Sequence, residues 1–368
     1  MVKIDLAKFL KRYDLSFFVM TGCILIVGVV NLYSATHATS FAGIYRLQIY
    51  KYLFALFIGI LVSFIRPKTL YRYSYLLYVL NIIFLILVLV VGKNAQGAQR
   101  WLELGGPIRF QPSEMMKVTL ILALGKWFTK NYPDRPLGLR NLTIPLLMSF
   151  IPAGLIIVEP DLGTGLTILL VFAFIVFYRK LKWKSILILG LLGLITGSFM
   201  YQFGLKEYQK KRIITFLDPQ SDARGSGYNA IQSVIAIGSG QLLGKGLKKS
   251  SQASLNYLPE NHTDFAFSVF NEEHGFVGSV ILIALYVSLF LRFVWLSISV
   301  LKIFDSIVAM GLMSILFWHT FINMGMVTGL LPIVGLPLPF ISYGGSSLVI
   351  FMVCCGMATS ISNSRNLF

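Results

Sequence analysis

The chain has 368 residues, of which 56% are apolar and only 13% charged; soluble domains carry ~25% charged residues. This excludes a disordered chain and a soluble domain built round one core, and three cysteines exclude a disulfide scaffold. A polytopic membrane protein remains, and the placement of its +17 net charge decides whether nucleic acid or a membrane surface explains that excess.

Apolar runs without charge predict ten membrane-spanning helices. The first covers residues 15–34. It follows Lys3, Lys8, Lys11 and Arg12 as a signal peptide would, but it is long for one and leads into further spans. Spans two, three and four cover 52–65, 73–91 and 112–125. Spans five, six and seven cover 141–158, 162–178 and 185–203. The eighth covers 276–291. The ninth and tenth share the uncharged region 306–364, split by proline-rich residues 332–339. Cys23, Cys354 and Cys355 lie in apolar runs without metal-ligand spacing and read as small packing residues. The expected fold class is an all-α polytopic membrane protein, a single integral-membrane domain over residues 1–368.

Ten spans put both termini on one side. Sorting Lys and Arg by alternate loops gives that side eighteen basic residues, against five in the short loops opposite. Cytoplasmic loops carry such an excess. Both termini are therefore expected in the cytoplasm, and nucleic-acid binding loses its motive.

The long loop between spans seven and eight, residues 204–274, then faces outward. A loop of this length is functional or disordered, and its apolar content argues against disorder. Within it, Y-N-A-I-Q-S-V-I-A-I (228–237) predicts a short amphipathic helix lying on the membrane. Charge is segregated: residues 206–249 hold eight bases and three acids, and residues 250–274 hold four acids and no Lys or Arg. The run G-S-G-Q-L-L-G-K-G (238–246) reads either as a flexible turn or as a cradle offering backbone N–H groups and Lys245 to a phosphate. It is not a Walker A loop, because Gly246 stands where Ser or Thr is required. His262, Thr263 and Asp264 precede a helical run. Asp264 reads either as the N-cap of that helix or as a general base with a raised pKa.

Ionisable groups at membrane depth are expensive, which makes them candidates for function. Glu114 and Lys117 share a face at i, i+3. They read either as an ion pair knitting the bundle or as the lining of a polar cavity. Glu159 and Asp161 flank Pro160 in E-P-D-L-G-T-G, a turn between spans with a structural role favoured over a catalytic one. His319 and Asn323 share a face at i, i+4 and read as a buried hydrogen-bonded pair. The stretch G-L-L-P-I-V-G-L-P-L-P-F-I-S-Y-G-G-S-S (329–347), which contains Ser342 and Gly344, has three prolines and four glycines. It reads as a re-entrant turn beside a wet cavity, or as a plain outer loop.

These segments together resemble the SEDS family of bacterial cell-wall synthases, the shape, elongation, division and sporulation proteins. The likeness covers nearly the whole chain. It is carried by A-Q-R-W-L-E-L-G-G-P-I-R-F-Q-P-S-E-M-M-K (98–117), E-P-D-L-G-T (159–164) and K-R-I-I-T-F-L-D-P (211–219). It continues in G-Y-N-A-I-Q-S-V-I-A-I-G-S-G (227–240), L-P-E-N-H-T-D-F (258–265) and the 329–347 stretch. The 238–246 run and compact termini are similar to the elongation branch, with a division-type member as the near alternative. The resemblance implies a multi-pass protein of the bacterial cytoplasmic membrane and a peptidoglycan glycosyltransferase. Such enzymes polymerise lipid II, a disaccharide-pentapeptide on undecaprenyl pyrophosphate. It implies a class B penicillin-binding protein as partner, alongside membrane lipids. The family's essential aspartate falls on Asp264, and its paired acid and base on Glu114 and Lys117.

The expected chemistry is one in-line attack by a sugar 4-hydroxyl, with Asp264 as general base. A glycosidase would use two carboxylates; here the leaving diphosphate needs cations. Arg46, Arg109, Arg212 and Lys117 are candidates for that role, with Lys245 and His262 as further substrate contacts. Glu114 is expected to orient Lys117. Glu159, Asp161, Asn323, Ser342 and Gly344 are expected to support the site. Mg²⁺ or Mn²⁺ carried by the substrate diphosphate is expected rather than an all-protein cage, with no organic cofactor. A hydrophobic groove is expected to admit the polyprenyl chain. Two rivals are a lipid II flippase and a scaffold that only recruits the transpeptidase.

Overall fold

The computed structural model describes residues 13–365 except 38, 40, 96–97, 104–108, 133–135, 200–201, 203, 205–206, 223–224, 256 and 259. Each of the ten apolar runs is helical. They form α1 (Ser16–Thr36), α2 (Ile44–Ser63), α3 (Pro67–Val91), α4 (Pro112–Asn131), α5 (Thr143–Val158), α6 (Leu162–Tyr178) and α7 (Trp183–Phe199). The long loop contributes α8 (Glu207–Leu217), α9 (Ser226–Ser239) and the single turn α10 (Ser251–Ser254). Helices α11 (Ala266–Ser299), α12 (Ile303–Val327) and α13 (Ser346–Arg365) complete the bundle. Local sequence sets several of the starts. Pro67 and Pro112 occupy first-turn positions, where the missing N–H costs nothing, after extended Arg66 and Gln111. Asp161 caps α6 by accepting from the Thr164 N–H at 3.2 Å.

Among the described residues, seven helices are long and apolar enough to cross a membrane by length and composition. They are α1, α2, α3, α11, α12, α13 and the unit Leu139–Val158, in which a 3-10 turn leads into α5. Helix α6 is apolar but has 17 residues. Helix α4 carries Glu114, Lys117, Lys126 and Lys130, which lower its hydropathy.

Burial separates the inner helices from the outer ones. In α12 and α13 the apolar window is 78% and 72% buried, against 22% in α3, whose apolar surface is left for lipid. Close approach of α13 to α2 rests on small residues: a side chain at Gly356 would strike the Gly59 backbone. The two described ends meet, since the Asp14 N–H donates to Asn363 Oδ1 at 2.8 Å and Ser362 to Asp14.

Several features depart from the sequence reading, among them the start of α2 at Ile44, eight residues before the predicted 52. Residues 93–110 include a small antiparallel sheet, β1 (Lys93–Ala95), β2 (Ala98–Glu103) and β3 (Arg109–Phe110), ordered β1-β2-β3. Its strands are too short and glycine-flanked to read as apolar spans. Helix α11 begins at Ala266, ten residues before the predicted 276, and kinks at Gly275 (φ 64°, ψ −162°). The charges of Glu272 and Glu273 hid this start; both are buried and bonded within the protein. The glycine-rich run packs against that kink: Lys245 N–H donates to the Glu272 carbonyl and Gly246 N–H to the Glu273 carbonyl, each at 2.9 Å. A side chain at Gly275 would meet the Gly244 backbone. The run is therefore a structural clasp, and its backbone N–H groups at these positions are already used.

The 329–347 stretch is no plain outer loop. Leu336, Leu338, Phe340 and Ile341 are buried. Buried backbone without a helix must find partners for its carbonyls. Here neighbouring side chains supply them in turn. Asn323 donates to Leu336 O at 2.7 Å, Tyr286 to Pro339 O and Tyr52 to Phe340 O at 3.0 Å. Gln48 reaches Ser342 O at 3.5 Å.

Candidate active site

A cleft of about 640 Å³ opens where four stretches meet. These are the E-P-D turn, the start of α4, the α8–α11 loop region and the proline-rich segment. Its lining includes Arg100, Glu114, Asp161, Arg212, Glu260 and Asp264. Helix α13 starts at this cleft and runs 20 residues to the Asp14–Asn363 contact, which separates the two by about 30 Å. The cleft and the Asp14–Asn363 contact thus occupy opposite ends of the bundle.

The segment carrying Asp264 is strapped down carbonyl by carbonyl. His262 O accepts from Tyr343 N–H at 2.8 Å, Thr263 O from Ser342 Oγ at 2.6 Å, and Asp264 O from Asn323 Nδ2 at 3.0 Å. The turn before it uses Glu260 at φ 56°, a left-handed conformation that non-glycine residues avoid. The N-cap of α11 is Phe265, with no side-chain cap. Asp264 is therefore not the cap, and its carboxylate is turned to the cleft. Its Oδ2 is the nearest atom, at 3.3 Å, to the place where Gly335 would carry a Cβ. Burial, then the Glu260 carboxylate, push its pKa up to about 6, against the pull of Arg212.

Glu114 and Lys117 form the expected pair at 2.8 Å, but Lys117 is fully buried and does not line the cleft. The geometry reverses the expected order: Lys117 orients Glu114, which does line the cleft. Glu114 Oε2 has no partner among the described residues. Lys117 also meets His319 Nε2 at 2.8 Å. His319 and Asn323 are both buried but not bonded to each other; both reach the proline-rich segment instead.

The E-P-D turn packs its charges inward. Asp161 accepts from Thr164 and from Gln111 Nε2 at 3.3 Å. Arg100 donates to the Glu159 and Pro160 carbonyls and lies 3.9 Å from Asp161. Glu159 is buried with both carboxylate oxygens unpartnered among the described residues. Burial, then Asp161, raise its pKa to about 8, against Arg100.

Other expected contacts lie elsewhere. Lys245 is paired to Glu272 at 2.6 Å and Ser251 Oγ at 3.1 Å, away from the cleft lining. The acidic segment has claimed the basic one. Arg46 is exposed and reaches Tyr45 OH at 3.3 Å, outside the cleft. The Arg109 side chain lies outside the described residues. The His262 ring sits between Phe41 and Tyr343, at 4.6 and 5.8 Å, so only its backbone carbonyl serves the strap. Burial lowers its pKa. Ser342 supports the strap, while Gly344 lines the cleft.

Sequence reasoning missed Arg100 and Glu260 as cleft residues and His319 as the partner of Lys117. Arg100 stood within a motif but carried no signal of the turn it would reach. An apolar groove of about 280 Å³ adjoins the cleft and shares Arg212, Pro332 and Ile333 with it. Val234, Ile235 and Phe216 are among its other walls. Among the described residues, no group of three or more His, Cys, Asp or Glu is placed to hold a metal ion.

The family model FTSW_RODA_SPOVE, described as a cell cycle protein, matches residues 11–367. The chain belongs to this family, the SEDS proteins. It is 40% identical over 328 residues to the peptidoglycan glycosyltransferase MrdB of Escherichia coli K12, covering 88% of this chain and 87% of that one. It is 34% identical to the stage V sporulation protein E of Bacillus subtilis 168, covering 95% and 96%. Among solved structures, a chain from a peptidoglycan synthase complex, studied for coordination of polymerisation and crosslinking, superposes with TM-score 0.80 at 32% identity. It covers 96% of this chain and 98% of that one. The rod shape determining protein RodA of Thermus thermophilus superposes with TM-score 0.69 at 30% identity, covering 96% and 97%.

Proposed function

We propose that this chain is a peptidoglycan glycosyltransferase that polymerises lipid II at the outer face of the bacterial cytoplasmic membrane, with both termini in the cytoplasm. The reading of the activity rests on kinship with MrdB and on the cleft. The higher identity to MrdB than to the Haemophilus ducreyi FtsW relative, 40% against 34%, favours the elongation role.

One observation carries the mechanism. Asp264 faces the cleft with a pKa near 6, on a backbone held at three successive carbonyls, with Arg212 in the same wall. A carboxylate poised close to neutrality accepts a proton well without being permanently masked. Asp264 takes the proton from the acceptor 4-hydroxyl. That oxygen attacks the anomeric carbon of the donor from the face opposite the diphosphate. The bond to undecaprenyl pyrophosphate breaks, and a β-1,4 link forms. Arg212 and Arg100 line the cleft and supply positive charge for the leaving diphosphate. Glu114, held by Lys117, adds a carboxylate to the cleft wall. A divalent cation carried in by the diphosphate would find the Glu260 carboxylate in the cleft wall, leaving Asp264 free to take the proton. Such an ion, Mg²⁺ or Mn²⁺, would neutralise charge on the phosphates. The adjoining apolar groove takes the first part of the polyprenyl chain. The protein partner is a class B penicillin-binding protein that supplies transpeptidation.

Collection of these groups at one end of the bundle, rather than along a path through it, supports polymerisation over transport. Purified protein with lipid II tests the reading. Asp264→Asn is expected to lower glycan synthesis by about 10²- to 10⁴-fold, with the thermal transition retained. Normal glycan chains from that variant would remove Asp264 as base.

A further inference from the structure

We propose that His319 is a positioning residue for the charged pair beside the cleft. As a neutral imidazole protonated on Nδ1, it holds Lys117 on one side and Pro337 on the other, and so fixes Glu114 relative to Asp264. The inference deepens the glycosyltransferase reading and rests on it.

The tautomer follows from the partners. Lys117 Nζ lies 2.8 Å from Glu114 Oε1 and 2.8 Å from His319 Nε2. An ammonium ion donates only, so Nε2 must accept. A neutral imidazole that accepts at Nε2 carries its proton at Nδ1. Nδ1 faces the Pro337 carbonyl at 3.3 Å, which can only accept. Both contacts therefore require the same tautomer, and an imidazolium would set two donors against each other in a buried site. Phe351 meets the ring edge-on at 5.0 Å and 76°, which fixes its plane.

The reach of this contact is what matters. One turn along α12, Asn323 donates to Leu336 O and to Asp264 O, at 2.7 and 3.0 Å. Leu336 and Pro337 are adjacent. A single helix face thus grips two successive carbonyls of the proline-rich segment, reaching Asp264 through Asn323 and Lys117 through His319. Both ends of the grip belong to the catalytic arrangement, and its middle, Leu336 and Pro337, lines the cleft. The imidazole does not touch substrate; it acts through Lys117 and the segment.

Three variants separate the two bonds. A Gln amide reaches the Nε2 position, and its oxygen can accept from Lys117. An Asn amide reaches only the Nδ1 position, where it can donate to Pro337. Leu makes neither bond. With lipid II as substrate, His319→Leu is expected to lower kcat by about 10- to 100-fold with little change in KM. Lys117→Met sets the ceiling of the loss. His319→Gln should recover most of the rate, and His319→Asn should stay close to Leu. Wild-type kcat in the Leu variant, or Gln no better than Asn, would overturn the proposal. Should the Leu variant fail to fold, the order of Gln and Asn decides alone. A wild-type chain that makes no glycan would refute the glycosyltransferase reading instead. The ¹⁵N shifts of His319 judge the tautomer independently of activity: an unprotonated Nε2 at neutral pH is expected, and an Nε2–H form or imidazolium overturns it.

Discussion

Asp264 and Glu272 are two acids in the same loop-to-helix region, eight residues apart. Glu272 is fully buried and accepts from Lys245, Ser250 Oγ, both donors of Ser251 and the Gln252 N–H. Asp264 has its backbone carbonyl secured, while no hydrogen bond to its carboxylate is formed among the described residues. One acid has spent its acceptor capacity on holding the glycine-rich clasp to α11. The other is held by its main chain and left with capacity for a substrate proton. The sequence marks Asp264 through L-P-E-N-H-T-D-F but carries no sign that Glu272 is a holding acid. The difference lies in where the donors sit: Ser250, Ser251 and Lys245 converge on one, and a cleft opens before the other.

The sharpest way to break this comparison is to remove both charges in turn. Asp264→Asn is expected to cost the activity stated above and to leave the fold intact. Glu272→Gln should do the reverse. It unpairs Lys245 and weakens several hydrogen bonds, a loss of about 1–3 kcal/mol. Thermal unfolding of the purified protein reads that loss, and the surviving folded fraction should polymerise lipid II normally. If Glu272→Gln abolished kcat in a stable protein, the division between holding acid and reacting acid would fall.

A smaller effect comes from pH. The base works only when ionised, so kcat/KM should rise through about pH 6 and level off above it. Stability should run the other way. A carboxylate whose pKa is raised above its unfolded ~3.9 binds its proton more tightly when folded, so stability from this group rises as pH falls from above 6 toward 4. Asp264→Asn removes the charged form and should raise the melting temperature at neutral pH. A rate profile flat from pH 5 to 7.5, set by substrate turnover rather than release, would separate Asp264 from the proton transfer.

The fold was legible where apolar runs were clean. Among the described residues, the seven long apolar helices could be placed from hydropathy, because a run of uncharged residues has few other places to go in a lipid bilayer. The start of α11 was not, because Glu272 and Glu273 interrupt the apolar pattern and only their distant donors explain the burial. The small sheet lacked the length that periodicity needs. Within the site, Asp264 and the Glu114–Lys117 pair were legible from local spacing and family likeness. The Lys117–His319 bond joins residues 202 apart, and no local pattern announces it. Lys245 was misplaced for a related reason: its partner lies 27 residues away.

Arg46 gives the smallest expected effect and bears on how far the site extends. Sequence placed it with Arg212 as a cation for the diphosphate. Its position on α2 is exposed and outside the cleft lining, whereas Lys51, further along the same helix, lies 3.6 Å over the ring of Tyr343, a cleft residue. An exposed charge beyond the wall acts mainly on encounter with an anionic substrate, and salt screens that action. Arg46→Ala should therefore change kcat by less than about twofold, and any fall in kcat/KM should fade as ionic strength rises. A loss of kcat that persists in high salt would mean that Arg46 swings into the cleft when substrate binds. The cationic wall would then extend across α2, and the division between satisfied and available charges would hold only for the free enzyme.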